Sequence, residues 1–243
     1  MRWRDDKGFT MMDRAIRAHI ITARYGVPVM IASGEPGLVV EITDGDELLN
    51  TWYRGNWFYD LVKVAPMRLV LGMAQELRDT PITPVCVTPG FLRSERMLGL
   101  FRVTEQNWQD AIETDPYFAH SESPLFVGRA VAALAGDEDV GRWAGRSLAS
   151  WTLAREYGFT DHDGRQPDMG SALMQAADSR WPEIVSAARR AVAGSEFRSD
   201  KERLELRAVR GRGEWFVWHV SWYELIMGDP EEIACRFAEK YGG

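Results

Sequence analysis

Residues 82–90, ITPVCVTPG, decide how the rest of the chain is arranged. A short run of apolar and β-branched residues, stopped by Pro89 and Gly90, predicts a buried strand, because a strand packed on both faces shows no polar side. Working back from it, residues 57–78 carry Phe58, Leu61, Val62, Ala65, Leu69, Met73 and Leu77 at steps of three and four, the stripe of a core-facing helix. Before that helix, LVVEIT (38–43) predicts another short buried strand, and the polar DGDELLNTWYRGN (44–56) a loop. Earlier still, Met12, Ile16, Ile20, Ala23 and Val27 mark a helix over 10–31 that ends near Pro28, with GEPG as the following loop.

Working forward, a polar excursion with aromatic residues covers 91–122. Ser123 as N-cap and Pro124 at the first helical position open a helix to about Ala135, and GRSLAS (145–150) is a third strand candidate. Helices alternating with strands, with crossovers long enough for parallel pairing, predict an α/β fold: half of a doubly wound, Rossmann-like parallel sheet. The character changes after Asp178. WPEIVSAARRAV (181–192) is a helix opened by a proline, ERLELRAV and EWFVWHVSWY are strands about the RGRG turn, and DPEEIACRFAEKY (229–241) is a helix with acidic residues in its first turn. The expected division is therefore 1–178 for the α/β domain and 179–243 for a small α+β appendage. Trp181, Trp215, Trp218 and Trp222 lie in the appendage, where aromatic residues alternating on a strand pack a small core more often than they bind a ligand.

The composition narrows the function classes. With 45% hydrophobic and 27% charged residues the chain is expected to fold, and a net charge of -7 supplies no field to hold nucleic acid or an anionic membrane. No apolar run approaches the roughly 20 residues of a membrane span, and the start has no signal-peptide core, so the cytoplasm is the expected location. Two cysteines, Cys86 and Cys235, are far apart and suggest neither a disulfide framework nor a zinc site. His19, His120, His162 and His219 are scattered, and TDHDG (160–164) reads as a turn, so no metal is expected.

The chemistry-bearing stretch is NWFYDLVKVAPMRLV (56–70). Tyr59 and Lys63 stand four apart, so they share one helix face. Only four of the 29 lysines and arginines are lysine, which makes Lys63 conspicuous. An ammonium beside a phenol favours the phenolate and lowers its pKa, so a tyrosine so placed can give a proton to a carbonyl oxygen or take one from an alcohol.

The series GLVVEIT, a loop, YDLVK, a long helix ending AQEL, then VTPGFLRSE resembles the second half of the short-chain dehydrogenases/reductases. RAHIITARYGVPVM is similar to that family's preceding helix, and AVAALAGDEDVGRWAGRSLASWTLAREYGFTDHDGRQPD to the dehydrogenase/reductase member 1 subgroup, so the likeness runs over about residues 3–168. The resemblance implies an NAD(P)-dependent oxidoreductase acting on a small carbonyl or alcohol. In it Tyr59 is the proton donor, and Lys63 lowers the Tyr59 pKa and contacts the nicotinamide ribose. Pro89 with Gly90 shapes the pocket beside the nicotinamide, and Ser94, followed by Glu95, falls near the residue that contacts the carboxamide. Pro89-Gly90 is also a common strand stop, and Ser94-Glu95 a common helix start. The helices over 12–28 and 57–77 resemble the family's dimerisation surface, which implies a homo-oligomer.

The departures from the pattern matter as much. Where the family has a serine at the end of the strand before the tyrosine, this chain has Thr43 and Asp44. Thr43 is the candidate hydroxyl donor to the substrate, whereas an ionised Asp44 beside Tyr59 would raise the phenol pKa. Ala15 stands for an expected asparagine, and Pro66 follows Lys63 inside the helix. The glycine turn TGxxxGxG that holds a pyrophosphate at a helix N-terminus is missing from the sequence, so tight binding of a dinucleotide by this chain alone is not expected. The surviving strands would correspond to the contiguous 5-6-7 block of a 3-2-1-4-5-6-7 sheet, leaving an edge to be covered by the appendage strands or by a partner chain. Three readings follow: an oxidoreductase, a non-redox descendant acting as an interaction subunit or a binder of a small hydrophobic ligand, or a different reaction in the same cleft that uses Tyr59 without nicotinamide.

Overall fold

The computed structural model describes residues 6–47, 52–210 and 214–242, and it forms two compact units, one within Met1–Leu49 and Leu61–Gly170, the other within Asn50–Asp60 and Ser171–Gly243. The predicted loop residues 48–51 and the turn residues 211–213 lie outside the described residues.

The first unit opens with α1 (Asp6–Ser33), followed by β1 (Gly37–Ile42), most of α2 (Trp57–Glu76), whose first residues to Asp60 fall in the second unit, and β2 (Ile82–Thr88). Next come α3 (Glu95–Phe101), two 3-10 turns, α4 (Pro124–Ala135), β3 (Ser147–Ala149) and α5 (Ser150–Tyr157). β1, β2 and β3 pair in that order and all in parallel, Val40 opposite Val85 and Val87 opposite Leu148, as the alternation of helices and strands predicts. β2 is central and every residue in it is buried. β1, expected to be buried, is mostly half-buried, because β2 is its one partner among the described strands.

Alternation along the strands sorts the core onto two faces. Ile82, Cys86 and Val39 meet Met67, Val70, Met73 and Leu77 of α2 and Ala23, Val27 and Met30 of α1. Val85, Val87, Leu38 and Val40 meet Ala130 and Leu134 of α4 and Leu153 of α5 on the opposite face. This is a three-stranded α/β layer structure with helices on both sides.

One expected boundary and two expected burials differ. α1 continues through Pro28 to Ser33 rather than ending near it, because Val27 and Met30 pack against α2 and the sheet on either side of the proline. The cost of the missing N–H is outweighed by that packing. Ile20 and Leu61, expected on the inner faces of their helices, are exposed.

The excursion after β2 has a core of its own. Trp108, Ala111 and Phe118 are buried among Phe91, Met97, Leu98, Phe101 and Val103, with the Phe91 and Phe118 rings edge to face at 5.0 Å. Its side chains therefore close on one another.

The second unit holds most of α6 (Met169–Ala191), then β4 (Phe197–Asp200), β5 (Glu205–Arg210), β6 (Glu214–His219), α7 (Trp222–Met227) and α8 (Pro230–Gly242). Among the described residues β4, β5 and β6 form an antiparallel sheet of their own, separate from the parallel sheet. α6 begins twelve residues before Trp181 and runs through Pro182, and the strand expected over 214–223 stops at His219. Ser221 ends it by opening α7 with a capping box, its hydroxyl accepting from Glu224 N–H while the Glu224 carboxylate accepts from Ser221 N–H. β5 buries Leu206 and Ala208, and Phe237 of α8 packs with Phe197 and Phe216. Trp181 is buried, whereas Trp215 is exposed beneath the Arg198 guanidinium, 4.6 Å from its ring. The Trp222 side chain lies outside the described side chains. Among the described residues no helix is long and apolar enough to cross a membrane.

Candidate functional site

Parallel strands bring their carboxyl ends to one edge, and in α/β sheets ligands bind there. Here that edge carries Thr43 and Asp44 after β1, Thr88, Pro89 and Gly90 after β2, and Ser150 after β3. Thr43 N–H donates to Val87 O at 3.1 Å, Gly45 N–H to the Thr88 hydroxyl at 2.9 Å, and that hydroxyl to Pro89 O at 3.0 Å.

α2 carries the acid/base candidates. Asn56 caps it, its side-chain oxygen accepting from Tyr59 N–H at 3.2 Å, and Tyr59 and Lys63 follow one turn apart, both half-buried. Pro66 lies within the continuous helix and withholds the N–H that the Val62 carbonyl would receive. In the same turn the Thr43 hydroxyl donates to the Lys63 carbonyl at 2.5 Å. Thr43 is therefore brought to the Lys63 backbone, with its proton directed at the helix. Ser94 sits four residues past Gly90 as the N-cap of α3, its hydroxyl accepting from Met97 N–H.

Pro89 and Gly90 are brought to residues that the sequence did not single out. Glu122 pairs through its backbone with the segment after Gly90: its N–H donates to Phe91 O at 3.0 Å and its carbonyl accepts from Arg93 N–H at 2.8 Å. Its side chain turns to the strand ends, where Oε2 accepts from Gly90 N–H at 2.8 Å and from the Ser150 hydroxyl at 2.5 Å. Glu122 is fully buried, and Oε1 has no hydrogen-bond partner among the described atoms. Burial pushes its carboxyl up to about 7, with Asp161 adding to the rise while the Ser150 and Gly90 bonds and Arg93 oppose it. A side chain at Gly90 would be tight, its Cβ 3.0 Å from Met169 Cβ and 3.1 Å from Glu122 Oε2, so that a neighbour would have to give way.

Arg93 and Asp161 fix the surroundings of that carboxylate. The fully buried Arg93 guanidinium donates to Ser121 O at 2.8 Å and to Glu105, reaches Asp161 at 3.4 Å, and lies 4.5 Å from the Trp108 ring. The TDHDG turn forms as expected, Gly164 N–H donating to Asp161 O with Gly164 at φ 82°. What the turn pattern does not reveal is that Asp161 is buried and holds the start of α4, accepting from Ser123 N–H at 2.8 Å and from the Ser123 hydroxyl at 2.5 Å. Burial opposes its ionisation, but the Ser123 and His162 bonds prevail and hold it down at about 2. No spacing rule points to Glu122, because its role arises when chain positions 32 and 28 residues away meet it.

Cys86 offers no nucleophile: burial, and next Glu41, push its thiol up to about 12. Glu41 is paired with His19 across α1 and β1. Among the described residues no group of three or more His, Cys, Asp or Glu could hold a metal ion.

The amino-acid sequence is similar to those of known proteins. The chain is 33% identical over 172 residues to Dehydrogenase/reductase SDR family member 1 of Mus musculus, covering 68% of this chain and 53% of the relative. It is 32% identical over 152 residues to the protein of the same name from Homo sapiens, covering 62% of this chain and 47% of the relative. The chain thus spans about half the length of the curated relatives it matches. No protein-family model matches it.

Proposed function

Starting from the chain's relationship to the SDR family of dehydrogenases and reductases, we propose that it is an oxidoreductase-type protein that handles a small carbonyl or alcohol at the carboxyl edge of β1–β3. The observation that carries the reading is the order of parts: Tyr59 and Lys63 on the helix after β1, and Pro89-Gly90 directly after the central strand. Bound NAD(P) would supply or accept the hydride. Tyr59 would give its phenol proton to the carbonyl oxygen in reduction and take it back in oxidation, and Lys63 would hold the phenol pKa down and contact the nicotinamide ribose. Pro89 and Gly90 would form the wall beside the nicotinamide and Ser94 would approach its carboxamide. Thr43 would serve the substrate oxygen only by releasing the Lys63 carbonyl to which it now donates.

Lys63, Pro89 and Gly90 fit the nicotinamide end of such a cofactor, since Gly90 and the Lys63 backbone stand at the ligand-binding edge of the sheet. For the phosphates, no TGxxxGxG turn occurs in the 243 residues, so in this reading the chain does not bind the dinucleotide tightly alone. A cytoplasmic location and a Rossmann-like descent go with the proposal.

A second reading is favoured by the exposed apolar face of α1, where Ile21, Tyr25 and Val29, at steps of four, are uncovered. In it the chain is a non-redox descendant serving as an interaction subunit, in a homo-oligomer or with a partner chain. Calorimetric titration with NADPH and NADH, with carbonyl reduction assayed alongside, separates the two. Turnover that is lost in Tyr59→Phe supports the first; a chain that neither turns over nor binds cofactor, alone or with a partner, overturns it.

A further inference from the structure

We propose that Glu122 is a positioning residue of the candidate site, fastening the Pro89–Gly90 turn to the first residue of α5 through a single carboxylate oxygen. The proposal rests on reading that turn as a wall of the site. Both of its bonds go to the carboxyl ends of strands, Gly90 N–H after β2 and the Ser150 hydroxyl after β3, so one side chain spans the edge where an α/β sheet meets a ligand. The same residue is stitched by its backbone to Phe91 and Arg93, and Arg93 is itself held by Glu105, Ser121 and Asp161. The turn is therefore fixed on both sides, and a Cβ at Gly90 would press on Glu122 Oε2.

A fully buried carboxylate with Oε1 left without a partner costs stability, yet an apolar side chain in its place would leave the Gly90 N–H and the Ser150 hydroxyl without their acceptor. An acceptor that takes two donors on one oxygen is what the geometry retains at that cost, and it aims the Gly90 peptide in one direction. A neutral amide oxygen accepts the same two bonds, so glutamine is the conservative replacement.

Amide hydrogen exchange followed by NMR on the full chain tests this. In Glu122→Ala, Gly90 N–H should exchange at least about tenfold faster, the scale expected for losing a hydrogen bond to a charged group, with Val85 and Val87 of the central strand unchanged. Glu122→Gln should restore the protection. If Glu122→Ala does not fold, the wild type decides alone: the Gly90 amide proton should shift with the same midpoint as the Glu122 carboxyl carbon, with the neighbouring Asp161, His162 and Arg93 followed in the same titration. Where the wild type reduces a carbonyl with NADPH, Glu122→Ala should raise the KM for NADPH more than it lowers kcat, and glutamine should reverse this. Gly90 exchange that is unmoved in the alanine variant, or a Gly90 resonance that ignores the Glu122 titration, overturns the proposal. Absence of turnover in the wild type counts against the oxidoreductase reading and leaves the exchange result to judge the clasp.

Discussion

Replacing Glu122 with glutamine should change how stability depends on pH, by an amount that follows from the carboxyl's surroundings. Burial, reinforced by Asp161 and opposed by Ser150, Gly90 and Arg93, lifts this group from 4.5 to about 7. The folded state therefore holds the proton more tightly than the unfolded chain, by about 2.5 units, or about 3 to 4 kcal/mol at about 1.4 kcal/mol per unit. The sign follows from linkage. The stabilisation is fully present below about pH 4.5, where both states are protonated, and is lost as pH rises through about 7. Glutamine does not titrate, so the advantage of the variant over the wild type should widen by about 2 to 3 kcal/mol between about pH 5 and about pH 8. Asp161, held at about 2, titrates outside that window and is common to both chains, as are the histidines. Urea unfolding followed by tryptophan fluorescence at several pH values measures the difference. A gap between variant and wild type that stays level across the window would refute the reasoning.

Asp161 should show the opposite sign. Its folded pKa lies below the ordinary 3.8, so its contribution of about 2 kcal/mol is present above that value and lost as pH falls towards about 2; in Asp161→Asn the acid limb of the unfolding curve should flatten. Arg93→Ala leaves Asp161 and Glu105 without their guanidinium and should cost about 3 to 5 kcal/mol in urea unfolding, with Arg93→Lys recovering little because an ammonium cannot span both carboxylates and stack on Trp108. In the oxidoreductase reading, Tyr59→Phe should lower kcat by about 10²-fold or more with unchanged circular dichroism, and a variant that keeps full turnover excludes Tyr59 as the proton donor. If α1 is an interface, Tyr25→Lys with Val29→Lys should reduce the sedimentation coefficient without lowering the melting temperature.

What the sequence made legible was local. The β2 strand is readable because its run of apolar residues ends at Pro89-Gly90, and α4 because Ser123 and Pro124 are a cap and a first-turn proline whose meaning depends on a few neighbours. Proline misled in Pro28 and Pro182, where packing on either side of the ring outweighed the local penalty. β4 has no local signature, because Phe197–Asp200 is largely polar and needs β5 beside it to be a strand. α7 carried a readable signal, Ser221 and Glu224 at capping-box spacing, hidden by the aromatic alternation before it. At the site, Tyr59 and Lys63 were visible as a one-turn pair, whereas Glu122, Arg93 and Asp161 were not, since each acquires its role from partners far along the chain.

That contrast bears on how the site is built. The residues proposed for proton transfer are set on α2 by helix geometry, and their aim depends on a turn that contains Pro66. A helix crossing a proline lacks one backbone bond there, and the Thr43 hydroxyl donates to the Lys63 carbonyl in the same turn, tying it to the end of β1. Across the sheet edge, Glu122 does the corresponding work for Gly90, tying the end of β2 to the start of α5. Both ties use a polar side chain with its hydrogen-bonding capacity directed at backbone or at a neighbouring hydroxyl, and both hold a place where a reacting group or a ligand would stand. The Thr43 tie has a neutral donor and is insensitive to pH, while the Glu122 tie is made by a carboxyl that changes charge near neutrality. Of the two, the tie at Gly90 is therefore the one whose charge a modest change of pH alters.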